Sequence, residues 1–241
     1  MFMARFARVV ALDTPHHVTQ RGNAQRYILE TDSDRLVYLD LLRQHCGLHR
    51  LSVVGYCLMS NHVHLIVIPK REDSLRLALK HTHGQYAAYF NARCASSGHV
   101  WQGRYYSCPL DRPHLWAALR YTELNPVRAA MVEDPAAFGW SSAAAHCGRG
   151  RPDSALEMRA WQEDWNPAEW REYLGAVSGT EESEAIRGST HTGRPLGAPD
   201  FVAALEKALG RRLTALKGGR PAEGGRAASQ LAMSFEAGVK G

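Results

Sequence analysis

The chain has 241 residues, 45% of them hydrophobic and 22% charged, which is ordinary globular composition and enough to bury a sizeable core. A formal net charge of +5 and an isoelectric point of about 9.0 lean toward an anionic partner such as nucleic acid. The five cysteines (Cys46, Cys57, Cys94, Cys108, Cys147) are odd in number and form no C-x-x-C pair, which argues against a disulfide framework and a zinc ribbon; with no transmembrane-length apolar run and no signal-peptide core, the expected compartment is the cytoplasm.

His16 to Gln20 alternates well enough for a first strand, and Arg21-Gly22-Asn23 ends it with turn chemistry. Thr31 to Asp34 offers N-cap residues to a helix with Leu36, Val37, Leu39 and Leu42 on its apolar side, stopping near Gly47. Strands follow around 51–58 and 62–69, rich in β-branched residues. Asp73-Ser74 caps a second helix running through Leu75, Leu77, Leu79, Tyr86, Tyr89 and Phe90. After the turn-rich Ser96-Ser97-Gly98, the stretch Val100 to Tyr106 reads as a strand or hairpin. Asp111 caps a third helix and Pro113 suits its first turn; it carries Leu115, Trp116, Leu119 and Tyr121 until Pro126 ends or redirects it.

This order predicts an α+β fold, a ferredoxin-like sandwich with an antiparallel-rich sheet and helices on one face. Composition changes after about residue 148, so residues 1–148 are read as one domain and 149–241 as a C-terminal extension. In the extension Trp161, Trp165, Trp170 and Tyr173 anchor a short helical stretch, and the polar Ser178–Thr192 reads as a flexible connector. A small helical segment at about 199–213 follows, and the Gly- and Ala-rich basic tail reads as flexible and disordered. There is no internal repeat.

The chemistry concentrates on Asn61-His62-Val63-His64. Residues two apart on a strand share a face, so His62 and His64 project together. Two adjacent imidazoles suit one divalent metal, and the bland reading is two surface histidines on a half-exposed strand. On the third helix Tyr121 and Asn125 are four apart and lie on one face. A tyrosine beside a metal can attack a phosphodiester, and the metal's task is to polarise the phosphate. Asn125 could complete the coordination sphere through its carbonyl oxygen, and oxygen plus imidazole ligands fit Mg2+ or Mn2+ better than structural zinc. The plain alternative makes Tyr121 an ordinary aromatic of an amphipathic helix, with Tyr86 and Tyr89 as rival nucleophiles.

The string from Tyr56 to Val67 resembles the HUH motif of single-tyrosine transposases, in which two histidines flank a bulky apolar residue. His17 to Asn23, Gly98 to Ser107 and Tyr121 to Ala129 are similar to three further blocks of that family, so the resemblance covers roughly residues 8–145. The subgroup it resembles is the REP-associated tyrosine transposases, relatives of insertion-sequence transposases. Their C-terminal extension is similar to Gly193-Arg-Pro-Leu-Gly197 with the helix after it. The resemblance implies that residues 1–148 form the catalytic domain, with His62 and His64 as metal ligands and Tyr121 as nucleophile. Asn125 stands where many insertion-sequence members carry glutamine. The implied activity is cleavage and strand transfer of single-stranded DNA at or near a hairpin or repeat, through a 5′-phosphotyrosine intermediate. No nucleotide cofactor is expected, and the chain lacks a phosphate-binding P-loop.

Single-strand binders combine basic residues with aromatic platforms. The candidates are Arg21, Trp101, Arg104, Tyr105, Tyr106, Arg112 and Arg128. In the extension, Gly193-Arg194-Pro195 and Gly219-Arg220-Pro221 are similar to the core of arms that enter A·T-rich minor grooves, but their flanks lack dense basic residues. The segment therefore reads as a flexible, weakly cationic arm in which Lys207, Arg211, Arg212, Lys217, Arg220 and Arg226 would add salt-dependent affinity. The competing readings are a non-cleaving hairpin-binding regulator derived from a transposase and a His-x-His metallohydrolase. The residues leave open monomer or homodimer, and whether the site assembles within one chain.

Overall fold

The computed structural model describes residues 7–176 and 179–214. Four strands, β1 (His16–Arg21), β2 (Leu51–Met59), β3 (His62–Pro69) and β4 (Tyr106–Pro109), form one sheet in the order β2-β3-β1-β4 with every pairing antiparallel. With α1 (Asp32–Leu48) between β1 and β2, and α2 (Ser74–Arg93) between β3 and β4, this is the ferredoxin-like arrangement. The first helix starts where expected: Thr31 Oγ1 accepts from the Asp34 amide at 3.1 Å and Asp34 Oδ2 accepts from the Thr31 amide at 3.0 Å, a reciprocal capping box.

The expectation of helices on one face holds for α1 and α2 only. Val63, Leu65 and Val67 of β3 join the core beneath these two helices, while Ile66 and Ile68 join a second core beneath α3 (Arg112–Glu123) on the opposite face. The reason lies in β2 and β3, which are apolar on both sides and therefore need cover on both. Gly55 lets α3 come close: a Cβ there would land on the Leu119 side chain.

Two further expectations change. Of the stretch Val100–Tyr106, only Tyr106 lies in a strand, because Gly98 (φ 95°) and Gly103 (φ 102°) break the extended run and turn Val100 and Trp101 into the core. The Ser178–Thr192 connector is a helix over most of its length, α8 (Thr180–Thr192), which packs on β4 and β1. Its buried residues are Ile186 and Thr190, and it ends on Gly193 in the left-handed conformation.

Pro126 does redirect the third helix: α3 stops at Glu123 and one further turn, α4 (Asn125–Arg128), follows at once. Three short helices, α5 (Ala143–His146), α6 (Arg159–Gln162) and α7 (Pro167–Gly175), then bring the aromatic residues against the α3 core, with Trp161 and Trp170 fully buried. Glu123, itself buried, accepts hydrogen bonds from Ser142 Oγ (2.5 Å), His146 Nδ1 (2.6 Å) and Trp170 Nε1 (2.8 Å), and so joins α3 to α5 and α7. The last described helix is α9 (Pro199–Leu209). Lys217, Gly219-Arg220-Pro221, Arg226 and the rest of the tail lie outside the described residues. All five cysteines are free. Among the described residues no helix is long and apolar enough to cross a membrane.

Candidate active site

Antiparallel pairing of β1 with β3 sets Thr19 opposite His64 and Arg21 opposite His62. The period of two then places His17, Thr19, Arg21, His62 and His64 on the sheet face that carries α3. With Tyr121, Asn125, Arg187, Thr190 and His191 they line a cleft of about 530 Å³. The Tyr121 ring meets His64 edge-on with centroids 5.7 Å apart, and His17 at 5.9 Å. His62 and His64 are themselves 4.9 Å apart. Histidine pair and tyrosine therefore come together within a single chain.

Hydrogen bonding orients both histidines. Thr190 Oγ1 donates to the Ile186 carbonyl at 2.7 Å, so toward His17 it is an acceptor, and His17 Nδ1 donates to it at 2.7 Å. Burial pulls the His17 pKa down to about 3 and keeps the ring neutral. Its Nε2 therefore accepts from His64 Nδ1 at 2.9 Å, which leaves the lone pair of His64 on Nε2. His62 Nδ1 donates to Asn61 Oδ1 at 2.6 Å, which leaves its lone pair on Nε2 as well. Desolvation also lowers both pKa values, that of His62 to about 4 with help from Arg21, and that of His64 well below its usual value with help from His62 and His17.

Two neutral imidazoles, each held in one tautomer by an outer partner, fit the donor pattern of a metal site. His17 is a third imidazole in the cleft, but Thr190 and His64 occupy both of its nitrogens. Among the described residues no group of three His, Cys, Asp or Glu is arranged to hold a metal ion. The available donor set is therefore two imidazoles with an amide oxygen. Asn125 lines the same cleft; its Nδ2 donates to the carbonyls of Tyr121 and Thr122, both at 3.3 Å, so its Oδ1 is the group left to act as a ligand.

The remaining candidates divide. Arg21 lies on the cleft wall, and Arg128 lies beside the tyrosine, its guanidinium carbon 4.1 Å from the Tyr121 ring centroid and Nη2 donating to the Tyr121 carbonyl at 2.6 Å. Tyr106 also lines the cleft and stacks on His191. Trp101 does not reach it. It is a core residue whose Nε1 donates to the His83 carbonyl at 2.8 Å. With Arg104 and Tyr105 it borders a separate cavity of about 560 Å³ beside α2. Arg112 is not in the cleft either; at the start of α3 it is bound in an ion pair with Asp164.

Sequence reasoning missed His17, Arg187 and Thr190 as site residues. The signal for His17 was its own strand, since period-two alternation puts it on the face of Thr19 and Arg21. Arg187, whose Nε donates to Tyr121 Oη at 3.2 Å, lies on the segment read as a connector.

The profile of the family described as "Transposase IS200 like" matches residues 13–125, which span β1 through the start of α4. No curated protein matches the chain. Among solved structures, a REP-associated tyrosine transposase bound to a REP hairpin matches with 16% identity and a TM-score of 0.53, over 64% of this chain and 92% of that one. A candidate transposase from Deinococcus radiodurans R1 matches with 16% identity and a TM-score of 0.35, over 54% of this chain and 92% of that one. The likeness of fold rests on the first of these.

Proposed function

We propose, from the match of residues 13–125 to the IS200-like transposase family, that the chain cleaves and rejoins single-stranded DNA at hairpin or repeat sequences, with Tyr121 as nucleophile. The observation that carries this reading is the packing of the Tyr121 ring on His64, 5.7 Å between centroids, in a cleft edged by Arg21, Arg128 and Arg187. His62, His64 and the Asn125 carbonyl oxygen would hold Mg2+ or Mn2+. Such an ion supplies polarisation of the scissile phosphate and stabilises the charge that develops on it.

The chain's own residues do the rest. Tyr121 Oη loses its proton to water and forms the O–P bond. The P–O3′ bond breaks, and the 3′ oxygen takes up a proton. The product is a 5′-phosphotyrosine and a free 3′-hydroxyl. The new link is itself a phosphodiester, so the step reverses without ATP and allows strand transfer. The three arginines balance the backbone charge of the bound strand. A hairpin partner is supported by the fold neighbour described as bound to a REP hairpin. The packing of Tyr121 on His64 within one chain supports a site that assembles in cis.

The test is covalent attachment of the protein to a labelled hairpin oligonucleotide in Mg2+ or Mn2+, read on a denaturing gel. Wild type should form the adduct, and Tyr121→Phe and His64→Ala should not. An adduct with Tyr121→Phe overturns the assignment of Tyr121. Hairpin binding with no wild-type adduct, unaffected by His62→Ala, replaces the enzyme with a non-cleaving regulator.

A further inference from the structure

The helix α8 begins more than fifty residues after the family match ends at residue 125, yet it closes one wall of the cleft. Ile186 and Thr190 seat it against the sheet, and Arg187 follows Ile186 directly. Arg187 Nε donates to Tyr121 Oη at 3.2 Å, while its guanidinium carbon lies 5.8 Å from the ring centroid, so the cation is aimed at the oxygen and does not cap the ring face as Arg128 does. Among the described residues Arg187 has no carboxylate partner, and Tyr121 Oη is the acceptor it uses. A guanidinium has five N–H donors in a planar fork matched to phosphate oxygens. Among the described residues one of them is engaged, and those on the terminal nitrogens are not. Three arginines elsewhere in the fold illustrate the contrast, with Arg112 paired to Asp164, Arg43 to Asp40 and Arg149 to Asp134.

We propose that Arg187 is a catalytic residue: it holds the Tyr121 oxygen through Nε and takes a non-bridging oxygen of the scissile phosphodiester on its terminal amines. This inference rests on the reading of Tyr121 as the nucleophile. In the forward step Arg187 aligns Oη with phosphorus and offsets charge on the phosphorane. In the reverse step it stabilises the tyrosine oxygen as it leaves. The C-terminal extension thereby supplies a part of the active site that the family-matched residues do not contain.

The experiment compares single-turnover adduct formation on the hairpin oligonucleotide for wild type, Arg187→Ala and Arg187→Lys. Arg187 is exposed on α8, so its removal leaves the packing of Ile186 and Thr190 in place, and a thermal melt confirms that the variants are folded. Arg187→Ala should slow the adduct by roughly 100-fold or more, the scale of losing one preorganised donor to a developing anion. Hairpin affinity should change far less than the rate. Lysine should recover little, because a point charge cannot contact two oxygens as the fork does. Added guanidinium chloride, kept below denaturing levels, should partly restore Arg187→Ala and leave Tyr121→Phe inactive.

A folded Arg187→Ala that forms adduct at the wild-type rate overturns the proposal. So does a slowed Arg187→Ala that guanidinium does not restore, which would reduce Arg187 to a structural contact. In both cases wild type still forms the adduct and the reading of Tyr121 stands. Absence of adduct from wild type removes the reading itself, and the role of Arg187 falls with it.

Discussion

His17 Nε2 lies 2.9 Å from His64 Nδ1, with the two rings parallel to within 3°. Since Thr190 fixes the proton of His17 on Nδ1, this contact decides which nitrogen of His64 faces the cleft. Removing it by His17→Ala frees His64 to take the other tautomer or to turn. Outer partners of metal-binding histidines are worth about 10–100-fold in affinity or activity. His17→Ala should therefore weaken Mn2+ binding, measured by calorimetry, and adduct formation within that range, and Thr190→Val should act in the same direction. Unchanged Mn2+ affinity in both variants would show that the relay does not matter to His64.

Glu123 lies two residues after Tyr121 and is tied to three partners on other elements. Glu123→Ala would leave the buried His146 and Trp170 donors unpaired and Ser142 with only the Tyr56 carbonyl, at a cost of about 1–3 kcal/mol for each unsatisfied group. Trp170→Phe removes one buried hydrogen bond and leaves a Glu123 oxygen with one donor fewer, which should cost about 1–3 kcal/mol before any change in packing. Urea titration measures both. A loss with Glu123→Ala no greater than that with Trp170→Phe would mean the network is not cooperative.

Gly55 on β2 faces Leu119 of α3, where an added methyl has no room. Gly55→Ala must push α3 away from the sheet, and overpacking of this kind costs about 1–3 kcal/mol. Tyr121 is two residues after Leu119 on the same helix, so the displacement reaches the site. The variant should lose adduct formation by a larger factor than its hairpin affinity. Equal activity at lower stability would show that α3 absorbs the methyl without moving its tyrosine.

Hairpin binding separates the arginine candidates. Arg21 lines the cleft, while Arg112 is bound to Asp164. Arg21→Ala should weaken binding and reduce the slope of log affinity against log salt by about one, as loss of one phosphate contact does. Arg112→Ala should leave both unchanged. The reverse pattern would move the DNA off this face of the sheet.

Acid sensitivity follows from the buried histidines, those of the cleft and also His16 and His83 outside it. Burial lowers the pKa of His16 to about 4 and that of His83 to about 3, against an ordinary value of 6.5. Between these values the unfolded chain binds protons that the folded chain refuses, so stability falls as pH drops from 6.5 toward 4 and is flat above about 7. Melting temperature should follow this course, and His83→Gln should make it less steep while the other buried histidines keep part of it. A melting temperature that rises on acidification would contradict the burial of these rings.

Much of the architecture was legible because its signals are local. Thr31 and Asp111 are capping residues with their acceptors in place, and β2 and β3 carry long β-branched runs. The histidine pair could be read from period two alone. Helix α8 could not, because Ile186 is its one large aliphatic residue and its helicity depends on seating that residue and Thr190 against the sheet. Trp101 shows the same limit from the other side. An aromatic beside arginine and tyrosine reads as a base platform, and only the turn at Gly103 and the His83 carbonyl reveal it as core. His17 needed β1 laid beside β3, a long-range pairing that no local pattern encodes.

The strand order β2-β3-β1-β4 has a kinetic consequence for the site. His17, His62 and His64 stand on β1 and β3, the two strands paired along both edges, whose amides should exchange with deuterium only when the whole sheet opens. Tyr121 and Arg187 ride on helices laid over that sheet, which can lift without breaking a single strand pairing. Hydrogen exchange should therefore find a slow floor and a faster ceiling to the same cleft, with the proposed nucleophile free to shift above imidazoles held in the sheet.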